Sequence, residues 1–180
     1  ATRQTMRQLL SERGGTVGET LAMALLYGCQ AQSELDSGEI QPFDAEAALE
    51  TAKSLGKTGD FREMLDFFLG LELLTPEWEA LLEAPAQGGW SRKHLAMARY
   101  LVERYWLQAV SDYDLYSRVK FIVIACLLVK DLGGDIYRTA QLFSKEIENN
   151  PENVEAILDG AYCHPAFTDD KLLGLLTENS

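Results

Sequence analysis

Residues 98–129 read ARYLVERYWLQAVSDYDLYSRVKFIVIACLLV, and this stretch decides the fold. Phe121 to Val129 are nine consecutive apolar residues, the most apolar segment of the chain. The run is far short of the roughly 20 residues needed to cross a bilayer, so it predicts a helix buried on all sides of a protein core. The β-branched Ile122, Val123 and Ile124 leave a buried strand as the alternative. Residues 115–132 continue without Gly, Pro or a hairpin signal, and that length selects the helix.

The polar residues just before the run carry more information about function. Asp112 or Asp114 can cap the helix and meet the positive end of its dipole, while Arg118 and Lys120 lie in the turns leading inward. Cations this close to a core need partners, and Glu103 and Asp114, or Glu146 and Glu148, offer carboxylates. Such a cluster is either a structural ion-pair network or a site, because both perturb charges in the same way.

Arg104-Tyr105, Leu107, Ala109-Val110, Asp112-x-Asp114-Leu115-x-Ser117-Arg118-Val119-Lys120-Phe121, Leu142-Phe143-Ser144-Lys145-Glu146-Ile147-Glu148, Glu152-Asn153-x-Glu155 and Pro165-Ala166-Phe167 follow one another along the chain. These segments resemble the flagellin lysine-N-methylase family. Together they occupy about the last 80 residues in the family's order. The resemblance implies transfer of a methyl group from S-adenosylmethionine to lysine side chains of flagellin. It also implies, for the full-length protein, a cysteine-rich N-terminal part with a metal or iron-sulfur centre. This chain departs from that pattern: Cys29, Cys126 and Cys163 are scattered, with no Cys-x-x-Cys pair. The expectation is the C-terminal helical portion of a longer protein, inactive alone and without its own cofactor; a start at Ala1 suits either a piece or a chain that has lost its Met. Within it, substrate-binding candidates are Tyr105, Asp112, Asp114, Arg118 and Lys120. Acids here could orient a lysine ammonium and an aromatic face could hold its cation, but no catalytic base and no methyl-donor site is assigned.

Composition bounds the remaining classes. The 180 residues suit one domain, and 47% hydrophobic residues supply a substantial core. Twenty-eight acidic against 16 basic side chains leave a formal charge of −12, which opposes binding to nucleic acid or anionic lipid and suits a basic partner. An odd set of three cysteines without framework spacing points to a reducing, cytoplasmic setting. No signal peptide or membrane segment is visible.

Caps and stops divide the rest into helices. Residues 2–12 place Met6, Leu9 and Leu10 on one face before Gly14-Gly15. The capping box Thr16-x-x-Glu19 opens a helix to about Leu35, with Cys29 in its apolar stripe, and residues 36–43 form a loop. Asp44 caps an alanine- and acid-rich surface helix, 45–55. Asp60-x-x-Glu63 repeats the reciprocal capping pattern at the start of 61–71, a helix with Phe61, Phe67 and Phe68 on a core face. Thr75-Pro76 starts 76–83. The APAQGGW segment, 84–90, is read as a boundary or hinge between subdomains 1–84 and 90–180 of one packed unit.

Ser91 caps the next helix, whose Leu95, Ala98, Leu101, Val102, Tyr105 and Trp106 recur at helical spacing. His94, in its first turn, is read as a capping or surface residue. After Gly133-Gly134, Asp135 opens 136–148 with the stripe Ile136, Ala140, Phe143 and Ile147; Ser144-Lys145-Glu146 should flank that contact. Asn150-Pro151 and Thr168 start the last two helices. Cys163-His164 is not read as a zinc pair, because adjacent residues seldom bind one ion. No phosphate loop, dinucleotide fingerprint or nucleophile elbow occurs. The sum is an all-α irregular bundle of about nine or ten helices around the buried helix 115–132. A second functional reading is a non-catalytic interaction module or homodimer, favoured if Trp90 and Trp106 share an exposed patch.

Overall fold

Side-chain caps set where most of the helices begin. The computed structural model describes residues 1–11 and 14–178, and every regular element among them is helical. In chain order these are α1 (Thr2–Leu9), α2 (Val17–Ser37), α3 (Ala45–Leu55), α4 (Phe61–Leu69), α5 (Pro76–Glu83), α6 (Arg92–Tyr105), α7 (Ala109–Asp112), α8 (Leu115–Leu132), α9 (Ile136–Phe143), α10 (Pro151–Cys163) and α11 (Asp169–Thr177). Two 3-10 turns, Trp106–Gln108 and Pro165–Phe167, and a π-helical turn, Ser144–Glu148, join them. Since α7 is a single turn of four residues, ten helices carry the architecture, an all-α bundle as expected.

The Thr16–Glu19 box is reciprocal, with the Glu19 N–H donating to Thr16 Oγ1 at 3.1 Å. Asp44, Thr75, Asp114, Asp135 and Asn150 each accept a backbone N–H from the first turn of their helices. Asp60 behaves differently from the reading above. Its side chain accepts from the Arg62 N–H, but Glu63 pairs with Lys171 on α11 at 3.0 Å instead of reaching back. Thr168 stands at the N-cap of α11 without a side-chain cap bond.

Boundaries shift where a glycine decides them. Helix α2 continues past Leu35 to Ser37, where Gly38, in the left-handed region at φ +77°, donates its N–H to the Glu34 carbonyl. Helix α4 stops at Leu69, at Gly70, two residues short of the expected end. The first helix ends at Leu9; its expected end at Glu12 lies outside the described residues.

Every residue of α8 except Tyr116 and Lys130 is buried, and α2, α6, α9, α10 and α11 pack around it. Helix α2 crosses it at Gly28, where a Cβ would come within 2.5 Å of Val119, so only glycine permits that approach. One continuous apolar core includes Leu25, Phe68, Trp78, Leu101, Phe121, Phe143, Phe167 and Leu173, drawn from before and after residues 84–90. That segment is strapped to the end of α8: the Ala86 N–H donates to the Leu132 carbonyl at 3.0 Å and the Gln87 N–H to that of Asp131 at 2.8 Å. Helix α3 is not purely superficial, since Ala48 and Ala52 are buried where it meets α2 and α11. Cys29, read as core, is only partly buried.

The largest departure follows α9. The expected helix 136–148 changes to π geometry at Ser144, and the extra residue per turn rotates Glu146 and Glu148 inward with Ile147. Buried positions on α9 are Thr139, Leu142 and Phe143, while Ile136 and Ala140 are only partly covered.

Candidate functional site at the start of the central helix

The turn between α7 and α8 is built from a left-handed residue and a double cap. Tyr113, at φ +56°, ends α7 by donating its N–H to the Ala109 carbonyl at 2.8 Å. Asp114 then caps α8, accepting from the Ser117 N–H at 3.1 Å and its hydroxyl at 2.7 Å. Gln32 of α2 serves as a second cap. Its side-chain oxygen accepts from the N–H groups of Leu115 (2.7 Å) and Tyr116 (2.9 Å), and its amide donates to the Tyr113 carbonyl and to Asp36.

Arg118 is buried and makes a two-pronged pair with Asp112, at 3.0 and 2.9 Å. A further bond of 2.7 Å runs to the Asp114 carbonyl, while the guanidinium Nε has no partner. The carboxylates expected for it go elsewhere. Glu103 pairs with Arg3 and Arg7 on α1, Glu146 holds the start of α5, and Glu148 pairs with Arg104. Asp114 contributes its main chain, not its carboxylate, to Arg118.

Lys120 is 1% exposed, yet its ammonium is fully engaged. It donates to the Ala161 carbonyl at 2.7 Å and to the Tyr116 hydroxyl at 3.1 Å, and it pairs with Asp169 at 3.1 Å. Tyr116 donates in turn to Asp169, and Tyr162 donates to Asp114. Burial and the adjacent Asp169 push the Tyr116 phenol up; burial and Asp114 do the same to Tyr162. Both phenols are therefore donors at neutral pH. Burial alone would raise the Asp114 carboxyl, but hydrogen bonds from Tyr162 and Ser117, with the Arg118 charge nearby, hold it below its ordinary value.

Tyr105 belongs to a different network. Its hydroxyl donates to Glu148 at 3.1 Å, its ring packs on Phe121 with centroids 4.8 Å apart, and Arg104 pairs with the same Glu148. Of the five candidates, Asp112, Asp114, Arg118 and Lys120 meet at the start of α8, and Tyr105 does not join their hydrogen bonds. Their partners Tyr162 and Asp169, and Gln32, which caps the main chain of the same turn, carry no local signal in the sequence. Tyr116, four residues before Lys120 on one helix face, was legible as a neighbour.

Beside this turn lies a concavity of about 630 Å³ between the end of α2, the start of α1 and the segment 106–115. Leu35, Ile40, Leu107, Val110 and Tyr113 line it and are all exposed. Trp106 also lines it but is itself buried, and Trp90 lines a separate cleft beside α6, so the two tryptophans share no exposed patch.

No protein-family model, curated protein or solved structure matches this chain.

Chemically, the start of α8 is a closed set of pairs. Asp112 has the most exposed carboxylate among its acids, with about half of its side chain open to solvent. Burial pushes the Cys29 thiol up to about 12, with Asp169 adding to the effect, and burial does the same to Cys126, so neither is an activated nucleophile. Cys163 donates to the Asp159 carbonyl, and His164 accepts from the Ala166 N–H while its ring meets Phe67 edge-on. Among the described residues no three His, Cys, Asp or Glu side chains group as metal ligands, and the three cysteines are dispersed over α2, α8 and α10. This donor set does not fit an iron-sulfur centre. No helix among the described residues is long and apolar enough to cross a membrane.

Proposed function

We propose that this chain is the helical portion of a cytoplasmic protein-lysine N-methylase like those that modify flagellin, and that it binds the protein substrate while the rest of the full-length protein supplies methyl-donor chemistry. One observation supports this above others. The stretch that carries the resemblance, 104–121, supplies Trp106, Leu107, Ala109, Val110, Tyr113 and Leu115 to one wall of the apolar groove. In this reading Asp112, Asp114, Arg118 and Lys120 are positioning residues that hold the wall, because their charged ends are engaged within the α7–α8 turn and with α10 and α11.

The exposed apolar lining also favours a second reading, a non-catalytic interaction module, in which the same groove binds a partner and no methyl group is transferred. Intact-mass analysis of flagellin co-expressed with the full-length gene separates the two. The methylase reading expects mass increments of one methyl group each, mapped to lysines and diminished by Val110→Asp. Unmodified flagellin beside folded protein and available methyl donor would reject methyl transfer and leave the interaction module.

A further inference from the structure

We propose that the groove between the end of α2 and the segment 106–115 receives an amphipathic helix of a partner protein, with an apolar stripe flanked by Lys or Arg. The inference rests on the protein-binding part of the function proposed above and not on methyl transfer.

Five large hydrophobic side chains gather here in exposed positions: Leu35 at 40%, Ile40 at 78%, Leu107 at 55%, Val110 at 71% and Tyr113 at 66%. Exposed apolar residues scattered singly are ordinary, but a cluster around one concavity marks a surface that is covered in use. The walls are mainly helical, and none of the described elements that line the groove is a strand. An extended peptide would find no sheet edge to pair with, whereas a helix satisfies its own main chain and needs only to insert side chains.

Charge selects the partner's sequence. Glu34 lines the groove but is buried, its carboxylate accepting from the Gln30 side-chain amide and the Gln41 N–H, both at 3.0 Å; Asp36 and Glu39, at the same end of α2, are exposed and have no ion-pair partner among the described residues. Arg3, which also lines the groove, is paired with Glu103. Flanking lysines or arginines on a partner helix would meet the exposed carboxylates of Asp36 and Glu39. A second copy would bring the same acids and a like charge of −12, so self-association is disfavoured.

The test is fluorescence anisotropy with the 180-residue chain and a labelled amphipathic helical peptide of Leu and Lys, at about 150 mM salt. Saturable one-to-one binding is expected. Val110→Asp should weaken it by about tenfold or more, and the double variant Asp36→Asn/Glu39→Gln should weaken it less and flatten its salt dependence. All three positions are exposed, so unchanged far-UV circular dichroism should accompany both variants. Binding to Val110→Asp as tight as to the native chain, or equal binding of a Leu and Glu peptide of the same pattern, overturns the proposal. So does a dimer that Val110→Asp converts to monomer, because a second copy would then be the occupant. Peptide binding without flagellin methylation removes the methylase reading alone; methylation insensitive to groove variants removes this one alone.

Discussion

Lys120, near the middle of the protein, and Asp169, at the first residue of α11, form an ion pair 3.1 Å long in which the cation is buried and the carboxylate side chain is 41% exposed. This asymmetry decides which half is more costly to remove. Asp169→Ala strands a desolvated ammonium and should lower stability by about 3 kcal/mol. Adding Lys120→Met should recover part of that loss, because an apolar side chain of similar length suits the surrounding core. Urea unfolding of the two singles and the double measures the coupling, and strict additivity would show that the pair is not a unit.

The same logic applies to Arg118 and Asp112 in the opposite order along the chain. Asp112→Ala leaves a buried guanidinium, whose Nε is already unpartnered, with only the Asp114 carbonyl, and should cost about 3 kcal/mol. Arg118→Met removes the buried charge itself and leaves Asp112 half in solvent, so it should cost less. The sign of the difference in unfolding midpoints checks the ordering. The larger loss falling on Arg118→Met would contradict it.

Glu146 fastens α5 to the π-helical turn. Its fully buried carboxylate accepts from the Leu74 N–H (2.7 Å), the Thr75 N–H (2.8 Å) and the Thr75 hydroxyl (2.7 Å). Glu146→Gln keeps the volume but replaces one acceptor with a donor that faces other donors, and should cost about 2–3 kcal/mol. Amide hydrogen exchange at Leu74 and Thr75 should accelerate more than at α2, which marks the loss as local.

His94 should make the protein sensitive to mild acid. The Ser91 N–H donates to His94 Nδ1 at 3.0 Å, so the ring proton sits on Nε2, which is buried without a partner. Burial first, with Lys130 nearby, lowers its pKa from the ordinary 6.5, and the contact with Ser91 opposes this only in part. The unfolded chain therefore binds more protons below pH 6.5, and stability present above that value is lost as pH falls toward the depressed folded value. His94→Gln retains an acceptor at the third position of the capping box and cannot titrate. Its melting temperature should vary less between pH 7 and pH 5, at about those limits, than that of the native chain. Equal slopes would assign the acid loss to other groups.

Local chemistry made much of the architecture readable. The apolar run 121–129 identified α8, Thr16, Asp44, Thr75, Asp135 and Asn150 marked helix starts, and Asp114 was one of two candidate caps for α8, because a cap bonds an amide only two or three residues away. Misreadings arose where distant groups competed. Glu63 left its capping box for Lys171, more than a hundred residues later, and Glu146 turned inward because unpaired amides at Leu74 and Thr75 needed an acceptor.

What the sequence alone determined was that Arg118 and Lys120 enter the core and must be neutralised there. Tertiary structure alone decided by whom: Asp112 across the α7–α8 turn for one, Asp169 and the Ala161 carbonyl for the other. It also decided that α2 and the segment 106–115 leave an apolar groove open between them. Helical period and capping act over a few residues, so they are written in the order of the chain, whereas a buried charge is satisfied by whichever group the packed helices bring within about 3 Å.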